Sequence, residues 1–78
     1  MAREQTVRIL AEMVANVIVL EVEVGDVVAA GDSVCLLESM KMEIPVLTER
    51  PGTVSAIKVA PGDVVQEGDV LVELTTSR

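Results

Sequence analysis

Glu38-Ser39-Met40-Lys41-Met42-Glu43 sets one lysine between two methionines. Val34-Cys35-Leu36-Leu37 precedes it and Ile44-Pro45-Val46-Leu47 follows. Two extended apolar runs joined by so few polar residues read as a β-hairpin with Lys41 at its tip. Hairpin tips ordinarily carry Gly, Asn or Asp, because primed turns require positive φ. Met and Lys have no such preference. Placing them there costs ~1–2 kcal/mol where either takes the left-handed region. A tip that ignores turn chemistry points to side chains kept for their own sake.

Outward from the tip, the chain alternates between short apolar runs and polar breaks. Thr6 to Leu10 reads as a first strand and Ala11-Glu12-Met13 as a bend. From Ala15 to Val24, Glu21 and Glu23 alternate with Leu20, Val22 and Val24, which is the period of a strand wet on one face. A helical reading of 15–24 is weaker, given the Val content and the Gly-Asp break that follows. Val27-Val28 is a short extended piece, and Ser33 to Glu38 leads into the tip. Met42 to Thr48 leads away from it. After Pro51-Gly52, Thr53 to Val59 alternates again. Val64-Val65 is short, and Val70 to Leu74 ends the fold. Residues 1–5 and Thr75 to Arg78 read as frayed ends.

The chain is two copies of one unit. A shift of 37 residues lays Gly25-Asp26-Val27-Val28 on Gly62-Asp63-Val64-Val65 and Gly31-Asp32 on Gly68-Asp69. It also lays Val17 on Val54, Leu20 on Ile57, Val22 on Val59 and Leu37 on Leu74, without a gap. Two units that cannot each bury a face alone are expected to pack face to face. Lys41 falls in the joint after the first unit, and both chain ends fall at the opposite end of the sandwich. The Gly-Asp pairs read as turn chemistry, in which Gly supplies the backbone geometry and Asp accepts from nearby N–H groups.

With 78 residues the chain is expected to be one domain, 1–78, ordered over about 6–75. The initial Met and short tail favour a complete chain. Half of the residues are hydrophobic, none is aromatic, and Val dominates, which favours strands. The net charge is −7 and there is no His. An acidic chain without aromatic rings argues against nucleic acid and against an anionic membrane surface. Without His the usual general base is missing, so a free-standing enzyme is the weakest reading. No metal site is expected. The lone Cys35 lies in an apolar strand and reads as a small core residue. With no leader-like apolar segment, the expected compartment is the cytoplasm. A monomer is expected, since the apolar runs can all be spent inside.

These motifs together resemble a known family. Gly-Asp-x-Val-x-x-Gly-Asp, Glu-Ser-Met-Lys-Met, Pro-Gly-Thr-Val and a second Gly-Asp-x-Val-x-x-Gly-Asp are similar to the biotinyl/lipoyl attachment domain. The likeness runs from about Val7 to Leu74. More narrowly it resembles the biotin carboxyl carrier domain, above all small stand-alone biotinylated proteins of bacteria, including actinobacterial ones. The resemblance implies an all-β, flattened barrel or sandwich of two four-stranded antiparallel sheets, of the hammerhead type, with the modified lysine on a tight turn.

It implies that Lys41 carries biotin covalently and that Met40 and Met42 are flanks favoured by biotin protein ligase. It further implies a non-catalytic carrier that moves carboxyl groups between biotin carboxylase and carboxyltransferase. The most plausible setting is an acyl-CoA carboxylase such as acetyl-CoA carboxylase in fatty acid biosynthesis. The alternatives are a lipoyl carrier, which usually has Asp-Lys-Ala at the tip, and an unmodified interaction module of the same fold. Three departures stand out. Met13-Val14-Ala15-Asn16-Val17 replaces the family's Met-Pro-Gly-Thr-Val, and Ser39 replaces an Ala. The gapless repeat also leaves no room for the inserted thumb loop of some carriers.

A lysine amine is mostly protonated at neutral pH and does not acylate itself. A ligase must therefore activate the acyl group and help deprotonate the amine. Met40 and Met42 cannot easily both point inward from a tip, which favours recognition over packing. Glu38 and Glu43 flank the tip and read either as a solvated pair or as groups that steer a basic partner.

Overall fold

The computed structural model describes residues 4–77. β-branched residues and period-2 burial produce eight strands. They are β1 (Glu4–Leu10), β2 (Ala15–Leu20), β3 (Val27–Val28), β4 (Ser33–Ser39), β5 (Met42–Leu47), β6 (Gly52–Ile57), β7 (Val64–Val65) and β8 (Val70–Ser77). They form two four-stranded antiparallel sheets in the orders β1-β8-β6-β3 and β5-β4-β2-β7. The chain crosses between sheets at every connection except one. Among the described residues, β4 and β5 are the only consecutive strands that pair, and the lysine turn joins them.

Val17, Val34, Leu37, Val54, Val65, Leu71, Val72 and Leu74 fill the space between the sheets, essentially without exposure. Burying each such side chain contributes ~1.5–3 kcal/mol. The repeat holds at the level of hydrogen-bond register. Val17↔Leu37 in β2–β4 matches Val54↔Leu74 in β6–β8, and both ladders slip at the next residue, at Ile18 and Ser55. Leu37↔Ile44 in β4–β5 matches Val7↔Leu74 in β1–β8. The N-terminal strand β1 thus completes the second unit as β5 completes the first.

The Gly-Asp turns lock the units together. Gly25, Gly31, Gly62 and Gly68 all have φ between 94° and 98°. The following Asp accepts through Oδ2 from the N–H three residues back, at 2.9 Å in all four turns. The first turn of each unit then reaches into the other. Gly25 N donates to Val54 O and Val54 N to Asp26 O, while Gly62 N donates to Val17 O and Val17 N to Asp63 O, each at 2.8 Å.

Several boundaries differ from the sequence reading. β2 stops at Leu20 rather than Val24, because Asp26 draws the Glu23 N–H into its turn and leaves Val24 exposed. β6 stops at Ile57 rather than Val59 for the same reason, with Asp63 holding the Ala60 N–H. Described residues read as frayed ends are paired strand: Glu4 and Gln5 lie opposite Ser77 and Thr76, and Thr75 lies opposite Thr6, the expected start of the first strand. Residues 1–3 and 78, also read as frayed, lie outside the described residues. The missing Pro-Gly before β2 does not change the register. Ala15 opens β2 where Gly52 opens β6, and the connections 21–26 and 58–63 are equal in length. Gly52 itself is required by space, since a Cβ there would lie 2.9 Å from the Thr75 carbonyl oxygen.

Candidate functional site

The lysine turn is built as the sequence implied. Met40 and Lys41 have φ of 53° and 65°. Two consecutive positive φ values between paired strands are the signature of a type I′ turn. Ser39↔Met42 and Glu38↔Glu43 close the ladder beneath it. Two non-glycine residues therefore stand in the left-handed region, at ~1 kcal/mol or more each. The ladder below and one tertiary contact hold them there. Ser39 Oγ donates to Val14 O at 3.1 Å, pinning the end of β4 to the segment before β2.

Lys41 is exposed, and both flanking methionines point outward, Met40 at 91% and Met42 at 64% exposure. The one ion pair among the described residues joins Arg8 to Glu73 at 3.3 Å, in the other sheet, so the lysine is not held by a carboxylate. Glu38 and Glu43 lie directly opposite each other in register, and both are exposed. Like charges placed so are mildly unfavourable. At the equivalent place in the second unit the pair is Thr6↔Thr75, which carries no such cost.

An open hollow adjoins the lysine, lined by Val14, Asn16, Glu38, Ser39, Met40 and Val64. The sequence reading found the hairpin and its three central residues but not Val14 and Val64. They come from separate segments, and no local pattern ties them to Lys41. The wider cleft between edge strands β1 and β5, lined by Val7, Ile9, Ile44 and Val46, does not include Lys41. Cys35 is fully buried in β4. Burial, and secondarily the nearby Glu21 carboxylate, pushes its thiol up to about 11, so it is no nucleophile near neutrality.

What such a tip can do is offer a primary amine to an incoming enzyme. The polar side chains nearest it are Glu38, Ser39 and Asn16, which share its hollow, and Glu43 across the ladder. Comparison with known proteins agrees with that geometry. A family model described as biotin-requiring enzyme, of biotin/lipoyl type, matches residues 7–74. The chain belongs to the biotin/lipoyl attachment family.

Among its relatives is the biotin/lipoyl attachment protein of Bacillus subtilis, 47% identical over 66 residues, covering 85% of this chain and 90% of that protein. The biotinylated protein TB7.3 of Mycobacterium tuberculosis is 62% identical over 37 residues, covering 47% of this chain and 52% of that protein. The chain thus spans about half the length of the mycobacterial relatives it matches. Two solved structures share the fold with a TM-score of 0.85 over 90% of the chain. One is a single-chain, multi-domain long-chain acyl-CoA carboxylase, 27% identical, of which the match covers 7%. The other is the urea carboxylase of Kluyveromyces lactis, 31% identical, of which it covers 6%. Biotin is therefore the group that this family of domains requires, and its structural neighbours are parts of carboxylases.

Proposed function

We propose that this chain is a biotin carboxyl carrier, with biotin joined through an amide to Nζ of Lys41 by a biotin protein ligase. The observation that carries the reading is the turn itself. A lysine occupies a left-handed hairpin position at an energetic cost, exposed and, among the described residues, without a carboxylate partner. Cost without structural return points to a side chain kept for chemistry. The residues present fit the group: an accessible primary amine, two exposed apolar flanks for a ligase to grip, and a rigid ladder beneath.

Biotin supplies a ureido nitrogen able to hold a carboxylate and release it elsewhere. The chain's own part is presentation. The turn holds Lys41 exposed beyond the last paired residues of β4 and β5, and amide formation removes the charge of its amine. The β4–β5 ladder then fixes the direction in which the arm leaves. The chain itself catalyses no step. Its partners on this reading are the ligase, a biotin carboxylase and a carboxyltransferase, and an acyl-CoA acceptor is supported by the acyl-CoA carboxylase among the structural neighbours. We place the protein in the cytoplasm, as a monomer, where a buried unpaired thiol is at home.

A lipoyl carrier is the second reading, supported by the Bacillus relative being named for either group. Intact mass after co-expression with a biotin ligase and added biotin separates the two. One biotinyl increment mapped to Lys41 by fragmentation is expected, and none in Lys41→Ala, whose circular dichroism stays unchanged because an exposed tip adds little to the core. A lipoyl increment, or biotin retained in the Ala variant, would sink the assignment.

A further inference from the structure

We propose that Met40 and Met42 are a reversible oxidation site that controls whether Lys41 is modified. This rests on the reading of Lys41 as a ligase substrate and adds a regulatory role for its flanks. Exposure comes first. Met40 is 91% and Met42 64% exposed, whereas Met13 is half-buried against the core. A thioether so open meets any small oxidant in solution.

The internal repeat supplies a control. Met42, paired with Ser39, corresponds to Gln5, paired with Thr76, in equivalent strands with equivalent register; Met40, in the turn itself, corresponds to Ser77 at the end of β8. The ladder therefore has no need of a thioether, or of any apolar side chain, at position 42, and Met40, 91% exposed, adds nothing to the core. The other sulfur among the described residues, Cys35, has no exposure and a raised thiol, so it is no competing sensor.

The chemistry needs a peroxide as co-reactant. A lone pair of the thioether sulfur attacks one peroxide oxygen and the O–O bond breaks. The sulfur becomes a sulfoxide, losing two electrons, and hydrogen peroxide leaves as water. A methionine sulfoxide reductase reverses this by returning two electrons from two thiols, which become a disulfide as the oxygen departs in water. The sulfoxide is polar and chiral. A partner pocket shaped for two apolar flanks would have to desolvate it, and recognition weakens on both sides of the lysine.

The test treats the chain with limiting hydrogen peroxide, removes the oxidant, and then adds ligase, ATP and biotin. Oxygen increments should map to Met40 and Met42 before Met13, with unchanged circular dichroism. The rate of biotin incorporation should fall on the order of tenfold or more. Methionine sulfoxide reductase with thiol should restore it. Oxidation at both flanks with an unchanged rate overturns the proposal, and so does preferential oxidation of Met13. A chain that takes no biotin before oxidation would instead remove the attachment reading, and this one with it.

Discussion

At the residue scale the turn trades stability for reach. Met40 and Lys41 hold positive φ with side chains that disfavour it. Replacing them with the pair that a type I′ turn prefers, M40N with K41G, should raise stability by ~1–2 kcal/mol while removing the amine. For a domain of this size that is a rise in Tm of roughly 4–8 °C per kcal/mol. Thermal unfolding reads the gain, and intact mass after ligase treatment reads the loss. An unchanged or lower Tm would mean that the turn carries no strain. That tension was legible in the sequence, because turn chemistry is local and Met-Lys violates it openly.

Cys35 makes a second residue-scale prediction. Its thiol titrates near 11 in the fold and near ~8.5 in an unfolded chain. Between those values the unfolded state loses its proton first, so it binds fewer protons than the native state, and stability falls as pH rises. Below about pH 8.5 the contribution is fully present. By pH 11 the loss approaches ~2–3 kcal/mol. Urea midpoints measured at pH 8 and pH 10.5 should separate for this chain and lie closer together for Cys35→Ala, whatever constant offset the smaller side chain brings. Equal separation in both would rule out the thiol as the cause.

At the scale of elements, the Gly-Asp turns set strand lengths and stitch the units together. Asp26 and Asp63 each hold an N–H three residues back, and their carbonyls accept from the opposite unit. Asp26→Ala and Asp63→Ala should each cost ~1 kcal/mol, and nearly the same amount, since their surroundings repeat. Urea titration checks this, and a large disparity would mean that the repeat is not energetic. The turns themselves were readable from Gly and Asp alone. Their consequence for β2 was not, because Val22 and Val24 continue a strand pattern into residues that Asp26 has already taken. The pairing of Thr75 to Ser77 was hidden for a different reason. Their partners, Glu4 to Thr6, lie at the other end of the chain, and neither Glu4-Gln5 nor Thr75 to Ser77 is apolar enough to announce a strand. Val14 and Val64 beside the lysine were hidden likewise, since only tertiary packing brings them together.

At the scale of the whole molecule, the repeat makes the ends of the described chain and the lysine turn equivalent. Under the 37-residue shift Ser77 corresponds to Met40 and Glu4 to Lys41. Glu4 and Ser77 face each other in register, at the end of the sandwich away from the lysine. One unit is closed there by a hairpin turn, and its twin is left as two paired strand ends. The fold should therefore tolerate a break at another exposed connection, provided that both ladders keep their register. Joining Ser77 to Glu4 through an inserted Asn-Gly, and opening the chain between Glu49 and Arg50, should give a permuted protein with the same sheets. Both cut residues are exposed and lie between β5 and β6. The new turn shortens a closure that now spans the whole chain, so stability should hold within ~1–2 kcal/mol. Lys41 keeps its turn and its contact through Ser39 to Val14, so ligase should modify the permuted chain at a similar rate. Circular dichroism together with the biotinyl increment reads both halves of the prediction. A folded permutant that the ligase ignores would show that recognition reaches beyond the lysine end, to the far side of the sandwich or to the 49–50 loop. An unfolded one would show that the first and last strands need their present order to nucleate the second unit.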